Sequence, residues 1–435
     1  MSITAVAALV LIGGFFLLLF LKVPVSFSML LATLASAAVY GINFSDMVNQ
    51  MVAGVKSFSL LAIPFFILMG EFMGAGGISD KIIDFANLLV GRFRGGLAYV
   101  NCLDSMFFGG VSGSAVADVS SLGSVVIPMM KKAGYDEDFA VGLTVSTACQ
   151  GLLIPPSHNM VIYALAAGGG VTIGSLFLAG ALPGIMMGLL IMFYCFLVRK
   201  KFNFPKGTGA AKGHRLRIVV DAILPMMTLV IIMGGMAAGV FTATEAAAVA
   251  CIYTFILTYF VFRTAKLRDI GQVFKNALKT LAIVLTLISV AKAFAFMMVV
   301  LRVPDMLTSF LTTVTTNKYL LLLIINVLLL VLGCFMDMAP LIMIMTPILL
   351  PVVTGPTIGL SPVHFGIIMI YNLAIGLCTP PVGSALFVGC AVGKTPIERT
   401  SLRMLPLYGV MVAGLMFVTY IPAISMWLPR ALGMG

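Results

Sequence analysis

One short pattern, present twice, constrains this chain more than any other feature. The copies are Gly151-Leu152-Leu153-Ile154-Pro155-Pro156-Ser157 and Gly376-Leu377-Cys378-Thr379-Pro380-Pro381-Val382. Both lie inside long apolar segments. Two adjacent prolines remove two backbone donors and clash with the preceding turn, so a helix cannot run through them undisturbed. The glycine four residues earlier eases the departure from helical geometry. In hydrocarbon the carbonyls freed by such a break need a partner.

Hydrocarbon is the right solvent to consider. Hydrophobic residues make up 61% of the 435 and charged residues 9%, which excludes a soluble globular class. Several separate stretches are long enough to span a bilayer, so the chain is expected to be polytopic. Met1 to Phe20 lacks a basic n-region and a small-residue cleavage site, and reads as a first transmembrane helix rather than a signal peptide. The seven cysteines all sit in apolar segments without a CxxC spacing and read as small buried hydrophobes. The formal net charge of +11 is not a nucleic-acid signal, because the basic residues concentrate in a few loops, as in cytoplasmic loops of membrane proteins.

Spans are expected near 3–21, 25–42 and 58–76. Gly91-Arg92-Phe93-Arg94-Gly95-Gly96 follows. The stretch from about 97 to 130 then has a small, polar middle, Gly109 to Ser121, and ends at Lys131-Lys132. Basic residues flank both of its ends and each arm is short for a full crossing, so we read a re-entrant hairpin. Two short full spans with a polar loop are the alternative. The first broken helix falls at about 138–167 and a plain span at 173–197. The loop 198–217 carries Arg199, Lys200, Lys201, Lys206, Lys212, Arg215 and Arg217 with no acid. It is read as cytoplasmic and as the linker between a first repeat, 1–197, and a second, 218–435.

The second half repeats the plan: spans near 218–240 and 243–262, a basic loop 263–279, and a span near 280–301. A second hairpin, about 319–353, has Gly333 to Pro340 at its middle. A second broken helix covers about 362–393, and a last span runs 404–429. Each half has five crossings when a hairpin counts as none. An odd number inverts the second half, which places both termini outside and every strongly basic loop inside. The two proline breaks are 225 residues apart (376 minus 151). The expected fold class is therefore an all-α polytopic membrane protein of two inverted repeats, each with a re-entrant hairpin and a broken helix. Interrupted helices in matching positions point to a transporter site near the midplane.

Half-helix N-termini offer N–H groups to an anion, while C-terminal ends and unwound carbonyls suit a small cation. The side chains at these places are hard oxygen donors: Ser112, Ser114, Asp118 and Ser120 in the first hairpin, Asp337 in the second, Thr379 at the second break, and Ser157 with Asn159 at the first. Such a set suits a monovalent cation better than a transition metal. An acid inside an apolar membrane segment is a functional candidate. For Asp337 a helix-capping role stands beside the ion role. Asp104 has no matching acid in the second hairpin and ranks lower. Glu71 and Glu245 read as packing or interface acids, Glu245 at a helix start after Thr242-Ala243-Thr244. His158 is the histidine at an irregular site, with solute binding and helix capping both open. His214 and His364 lie near predicted ends, and no HExxH-type metal spacing occurs. Ser112, Ser157, His158 and Asn159 are the candidate solute-binding residues.

The motifs Ser112-Gly113-Ser114-Ala115-Val116-Ala117-Asp118, Ile154-Pro155-Pro156-Ser157, Phe241-Thr242-Ala243-Thr244-Glu245-Ala246, Asp337-Met338-Ala339-Pro340 and Thr379-Pro380-Pro381-Val382-Gly383 resemble the large transmembrane (M) subunit of tripartite ATP-independent periplasmic (TRAP) transporters, DctM/SiaM-like. The resemblance covers essentially the whole chain. It implies a sodium-coupled, elevator-type importer of small carboxylates, located in the bacterial inner membrane, with Na+ as coupling ion and no cofactor. It implies two partners: a periplasmic substrate-binding protein that delivers the solute, and a small four-helix membrane subunit, expected as a separate chain. Carried over to this sequence, one sodium site comprises Ser114, Asp118, Gly151, Ile154 and Pro156. The other comprises Gly333, Asp337, Gly376, Thr379 and Pro381. His158-Asn159 departs from the Ile-Pro more often found after Pro-Pro-Ser, which leaves a dicarboxylate, a sugar acid or sialic acid open as solute.

A stand-alone sodium–carboxylate symporter of similar architecture is the competing reading. An intramembrane enzyme would need a catalytic pair or metal ligands, which the sequence does not offer. A channel fits paired hairpins and an inverted repeat less well than alternating access does.

Overall fold

The glycines and prolines set where helices stop. The computed structural model describes residues 2–207, 215–315 and 317–434 and is built from α-helices. The first five are α1 (Ile3–Phe20), α2 (Val25–Tyr40), α3 (Phe44–Val55), α4 (Ala62–Ala75) and α5 (Ile78–Val90). A helix–turn–helix follows, α6 (Gly96–Ser112) and α7 (Ala115–Lys132). Then come α8 (Glu137–Ala148), a short 3-10 turn at Cys149–Leu152, α9 (His158–Ala166) and α10 (Ile173–Val198). After the linker lie α11 (Arg215–Ala237), α12 (Ala243–Ile256), α13 (Ile270–Val300) and α14 (Val303–Val314). A second helix–turn–helix, α15 (Lys318–Phe335) and α16 (Met338–Thr354), leads to α17 (Pro362–Gly376), α18 (Ser384–Gly393), α19 (Ile397–Tyr420) and α20 (Ala423–Ala431).

Among the described residues seven helices are long and apolar enough to cross a membrane, and α4 and α5 form a further pair bent by 73°. Large apolar side chains such as Leu17, Phe193, Leu197 and Ile283 are strongly exposed along these helices, as lipid-facing residues are. The chain is an all-helical, multi-pass membrane protein.

Two groups of helices, in contact with each other through α13 on α16 and α4 on α6, make up this bundle. In one, α1 packs on α2, α13 on α2, α3 and α4, and α12 on α4 and α11. In the other, α18 packs on α7 and α8, α16 on α9 and α17, and α10 on α19 and α20. Buried polar bonds tie the helix–turn–helix units to the broken helices. Asn101 of α6 donates to Thr144 of α8 at 2.7 Å, and Asn372 of α17 donates to the Asn326 carbonyl of α15 at 2.9 Å. Arg399 of α19 meets Asp138 of α8 at 2.6 Å.

Four details differ from the sequence-based expectations. The helices α3, α5 and α14 were not expected; they carry apolar residues on one face only, so no continuous apolar run marks them. The basic stretch 263–279 is not all loop. Helix α13 begins at Ile270, with Val273 and Ala277 buried and Lys275 and Lys279 exposed, so long basic side chains reach outward from a helix already formed. The last span ends at Tyr420, and Pro422 separates it from α20. The linker is packed over its first part: Gly95 N–H donates to the Pro205 carbonyl at 2.9 Å, and Phe204 is buried against Tyr135 and Phe139. Lys212 and His214 lie outside the described residues.

Helices approach one another closely at glycine. A Cβ added at Gly376 would lie 2.7 Å from the Gly333 Cα and carbonyl carbon. Gly376→Ala is expected to lower the thermal unfolding temperature in detergent, at an overpacking cost of about 1–3 kcal/mol. Gly409→Ala, where no atom lies within 4 Å, should leave it unchanged. Circular dichroism melts of the two variants check this.

Candidate functional site

The first break and the first helix–turn–helix come together. Proline has no N–H, so Pro155 and Pro156 cannot serve the carbonyls of Gly151 and Leu152, four residues earlier. The chain leaves the helix there and re-forms it at His158. The turn between α6 and α7 packs on this break. Gly113 adopts φ +61°, and a Cβ on it would lie 2.6 Å from the Pro156 carbonyl oxygen. Gly109 and Gly151 touch backbone to backbone, in a contact that any side chain would open.

Ser114 is the N-cap of α7, its Oγ accepting from Ala117 N–H at 3.4 Å. Ser112 Oγ donates a short hydrogen bond to Asp118 Oδ1 and accepts from Ser114 N–H at 3.3 Å. Asp118 is fully buried. Its Oδ2 has no hydrogen-bond partner among the described residues and faces Gly151, 3.1 Å from where a Cβ would be. A buried carboxylate oxygen without a donor is costly, and it sits beside Gly151, whose carbonyl the prolines have robbed of its helical partner. Ser114, Asp118 and Gly151 thus gather as an all-oxygen set that fits a small hard cation. Ile154 and Pro156 line the same break, under Gly110 and Gly113 respectively.

The second set is arranged differently. Gly333 lies on Gly376, so the turn again meets the break. Here, however, the carbonyls have partners inside the fold. Gly376 accepts from Thr379 N–H at 3.0 Å, Leu377 from Ala385 N–H at 3.0 Å, and Cys378 from the Tyr408 hydroxyl at 2.6 Å. Thr379 Oγ1 donates to the Ile375 carbonyl at 2.7 Å. Asp337 is the N-cap residue of α16, is exposed, and receives Ser384 Oγ at 3.4 Å. Pro381 is also exposed. Ser384 had no signal in the sequence, being one of many serines near an apolar segment.

A cavity of about 590 Å3 lies between the first turn and helices α4 and α13. Of the candidate solute residues, Ser112 and His158 line it, together with Ser114, Ser120, Glu71 and Asn276. Ser157 and Asn159 are buried away from it, and Ser157 Oγ has no partner among the described residues. Glu71 and Asn276 were missed as lining residues because they belong to helices outside both breaks. Asp104, fully buried on α6, has neither carboxylate oxygen bonded among the described residues. Among those residues no three His, Cys, Asp or Glu side chains gather as metal ligands.

The model of the DctM component of tripartite ATP-independent periplasmic transporters matches residues 12–424. The chain belongs to this family. It is 38% identical over 428 residues to the sialic acid TRAP transporter large permease protein SiaM of Vibrio cholerae, covering 98% of this chain and 99% of that one. It is 35% identical over 441 residues to the C4-dicarboxylate TRAP transporter large permease protein DctM of Rhodobacter capsulatus, covering 98% and 100%. The YdaH transporter of Alcanivorax borkumensis shares the fold, with a TM-score of 0.60 and 15% identity over 88% of each chain. The chain is thus a TRAP large permease, a transport protein and not an enzyme. This agrees with the resemblance drawn from the five motifs.

As a DctM-family permease, the chain should expose one residue of the first break and hide the next. His158→Cys is expected to react with a hydrophilic maleimide at least tenfold faster than Asn159→Cys, because only the former opens on the cavity. Labelling in detergent, with the unmodified chain, in which Cys334 alone of the seven cysteines is partly exposed, as background, measures the ratio.

Proposed function

We propose that this permease is a sodium-coupled importer of small organic acids in the bacterial inner membrane, working with a small four-helix membrane subunit and a periplasmic binding protein. The observation that carries the reading is the unpartnered, buried Asp118 Oδ2 held against Gly151. In a bilayer such an oxygen calls for a cation. Ser114, Asp118, Gly151, Ile154 and Pro156 form the first sodium site. Gly333, Asp337, Gly376, Thr379 and Pro381 form the second, with Ser384 added through its bond to Asp337. The second site is looser, since its carboxylate is exposed and several of its carbonyls are already used.

The solute lies against the first turn, where Ser112 and His158 offer hydrogen bonds. A C4-dicarboxylate or a sugar acid such as sialic acid suits the cavity, and these are the solutes in the names of the two relatives. The order helix–turn–helix, broken helix, long helix occurs at α6–α10 and again at α15–α19, and it supports the inverted-repeat reading. The packing of both helix–turn–helix units on the broken helices supports an elevator movement of that group. Basic residues at 198–217 and 263–269 support a cytoplasmic location for those ends and a periplasmic one for both termini.

In proteoliposomes holding this chain and the small subunit, uptake of acid from the loaded binding protein should need an inward sodium gradient. Uptake by this chain alone would favour the stand-alone symporter. Asp337→Ala is expected to abolish sodium-dependent uptake with no loss of folded protein; normal uptake in that variant removes the second site. Asp118→Asn should remove the thermal stabilisation that sodium chloride gives over choline chloride, since one oxygen becomes an amide donor.

A further inference from the structure

A second cavity, of about 890 Å3, lies on the other side of α13. It opens among the end of α3, the α9–α10 turn, the α11–α12 turn and α16. The first cavity takes in Asp269 to Thr280 of α13, next to the basic loop, and the second takes in Ile288 and Lys292. Twenty-two residues of helix separate Ile270 from Lys292, a rise of about 33 Å. The second cavity therefore belongs to the membrane face opposite the basic loops.

Lys292 is the charged residue of its lining, and no Asp or Glu lines it. Its stem rests on Gly54, where a Cβ would lie 2.9 Å from the Lys292 Cβ, and its side chain is exposed to the cavity with no ion pair among the described residues. The nearby acid Glu245 is engaged: its Oε2 accepts from the Thr242 N–H and hydroxyl, both at 2.8 Å. Thr172 and Thr242, the N-cap residues of α10 and α12, also line the cavity. The α10 N-terminus, which has no acid in its first turn, adds its partial positive charge to that of the lysine, while Glu245 offsets that of α12. A lysine in an open cavity with no paired acid among the described residues attracts whatever anion enters.

We propose that this cavity is a carboxylate-binding vestibule in which Lys292 Nζ receives the acid group of the solute before the solute reaches the first turn. The inference rests on the reading of the chain as an importer of organic acids. The vestibule raises the local concentration of anions over neutral and cationic solutes, as a one-signed cleft does.

The test needs neither sodium, a binding protein nor a known solute. Ser57 lines the cavity and is exposed, so Ser57→Cys supplies a reporter thiol in the full chain. Its reaction rate is measured with the anionic sulfonatoethyl and the cationic trimethylammonioethyl methanethiosulfonates. The ratio of anionic to cationic rates should fall about tenfold when Lys292→Gln is added, fall further with Lys292→Glu, and be kept by Lys292→Arg. Lys56, adjacent in sequence and outside the lining, stays in every variant. A ratio that does not change across the series overturns the proposal. Succinate, as the carboxylate probe at constant ionic strength, should slow the anionic reagent in the Lys292 protein and not in Lys292→Gln. An equal effect in both overturns the carboxylate role. Failure of sodium-dependent uptake, by contrast, would bear on the proposed function and leave these rates as they are.

Discussion

The structure depends on two backbone contacts without side chains between them, Gly109 on Gly151 and Gly333 on Gly376. A helix broken inside a bilayer exposes carbonyls, and lipid offers them nothing. The fold answers by bringing the turn of a neighbouring helix pair onto each break. Any Cβ at these positions would hold the turn away. The hydroxyls and carboxylates carried by the turn would then no longer face the unwound chain. Glycine here allows an approach distance rather than flexibility.

The two contacts look alike in sequence, yet their polar groups are arranged differently. Ser114 and Asp337 hold the same place, the N-cap of the returning helix. Asp118 sits one turn further in, buried, with Ser112 on one oxygen and none on the other. At the second contact the protein itself supplies donors to the freed carbonyls, from Thr379, Ala385 and Tyr408. The first site is therefore incomplete as a polar network and the second is largely complete. An incomplete network at membrane depth favours a ligand that brings charge of the opposite sign.

Much of the helix order was legible, because prolines and glycines stop helices by local sterics that need no tertiary context. The turns at Gly113 and Asp337 and the breaks before His158 and Ser384 fall at residues that the composition marks. The amphipathic helices α3, α5 and α14 were not legible as spans, since half their surface is polar. The start of α13 was hidden by Lys275 and Lys279, whose charge reads as loop although the backbone is helical. The asymmetry of the two sites was also invisible. It depends on partners such as Tyr408, thirty residues from the carbonyl it reaches, and on which oxygen of Asp118 finds a donor.

The cavities on either side of α13 carry opposite charge. Among the described residues one is lined by Glu71 and Asp269 with no Lys or Arg, and the other by Lys292 with no Asp or Glu. On the proposed reading this difference bears directly on coupling. A carboxylate leaving the lysine for the first turn moves toward Glu71, with Asp118 buried behind the turn, and like charges in a medium of low dielectric oppose it. A cation held by Asp118 and Gly151 cancels that opposition, so solute and cation favour each other's presence at the turn. Coupling then follows from charge balance at one place, and it needs no direct contact between the solute and the ion.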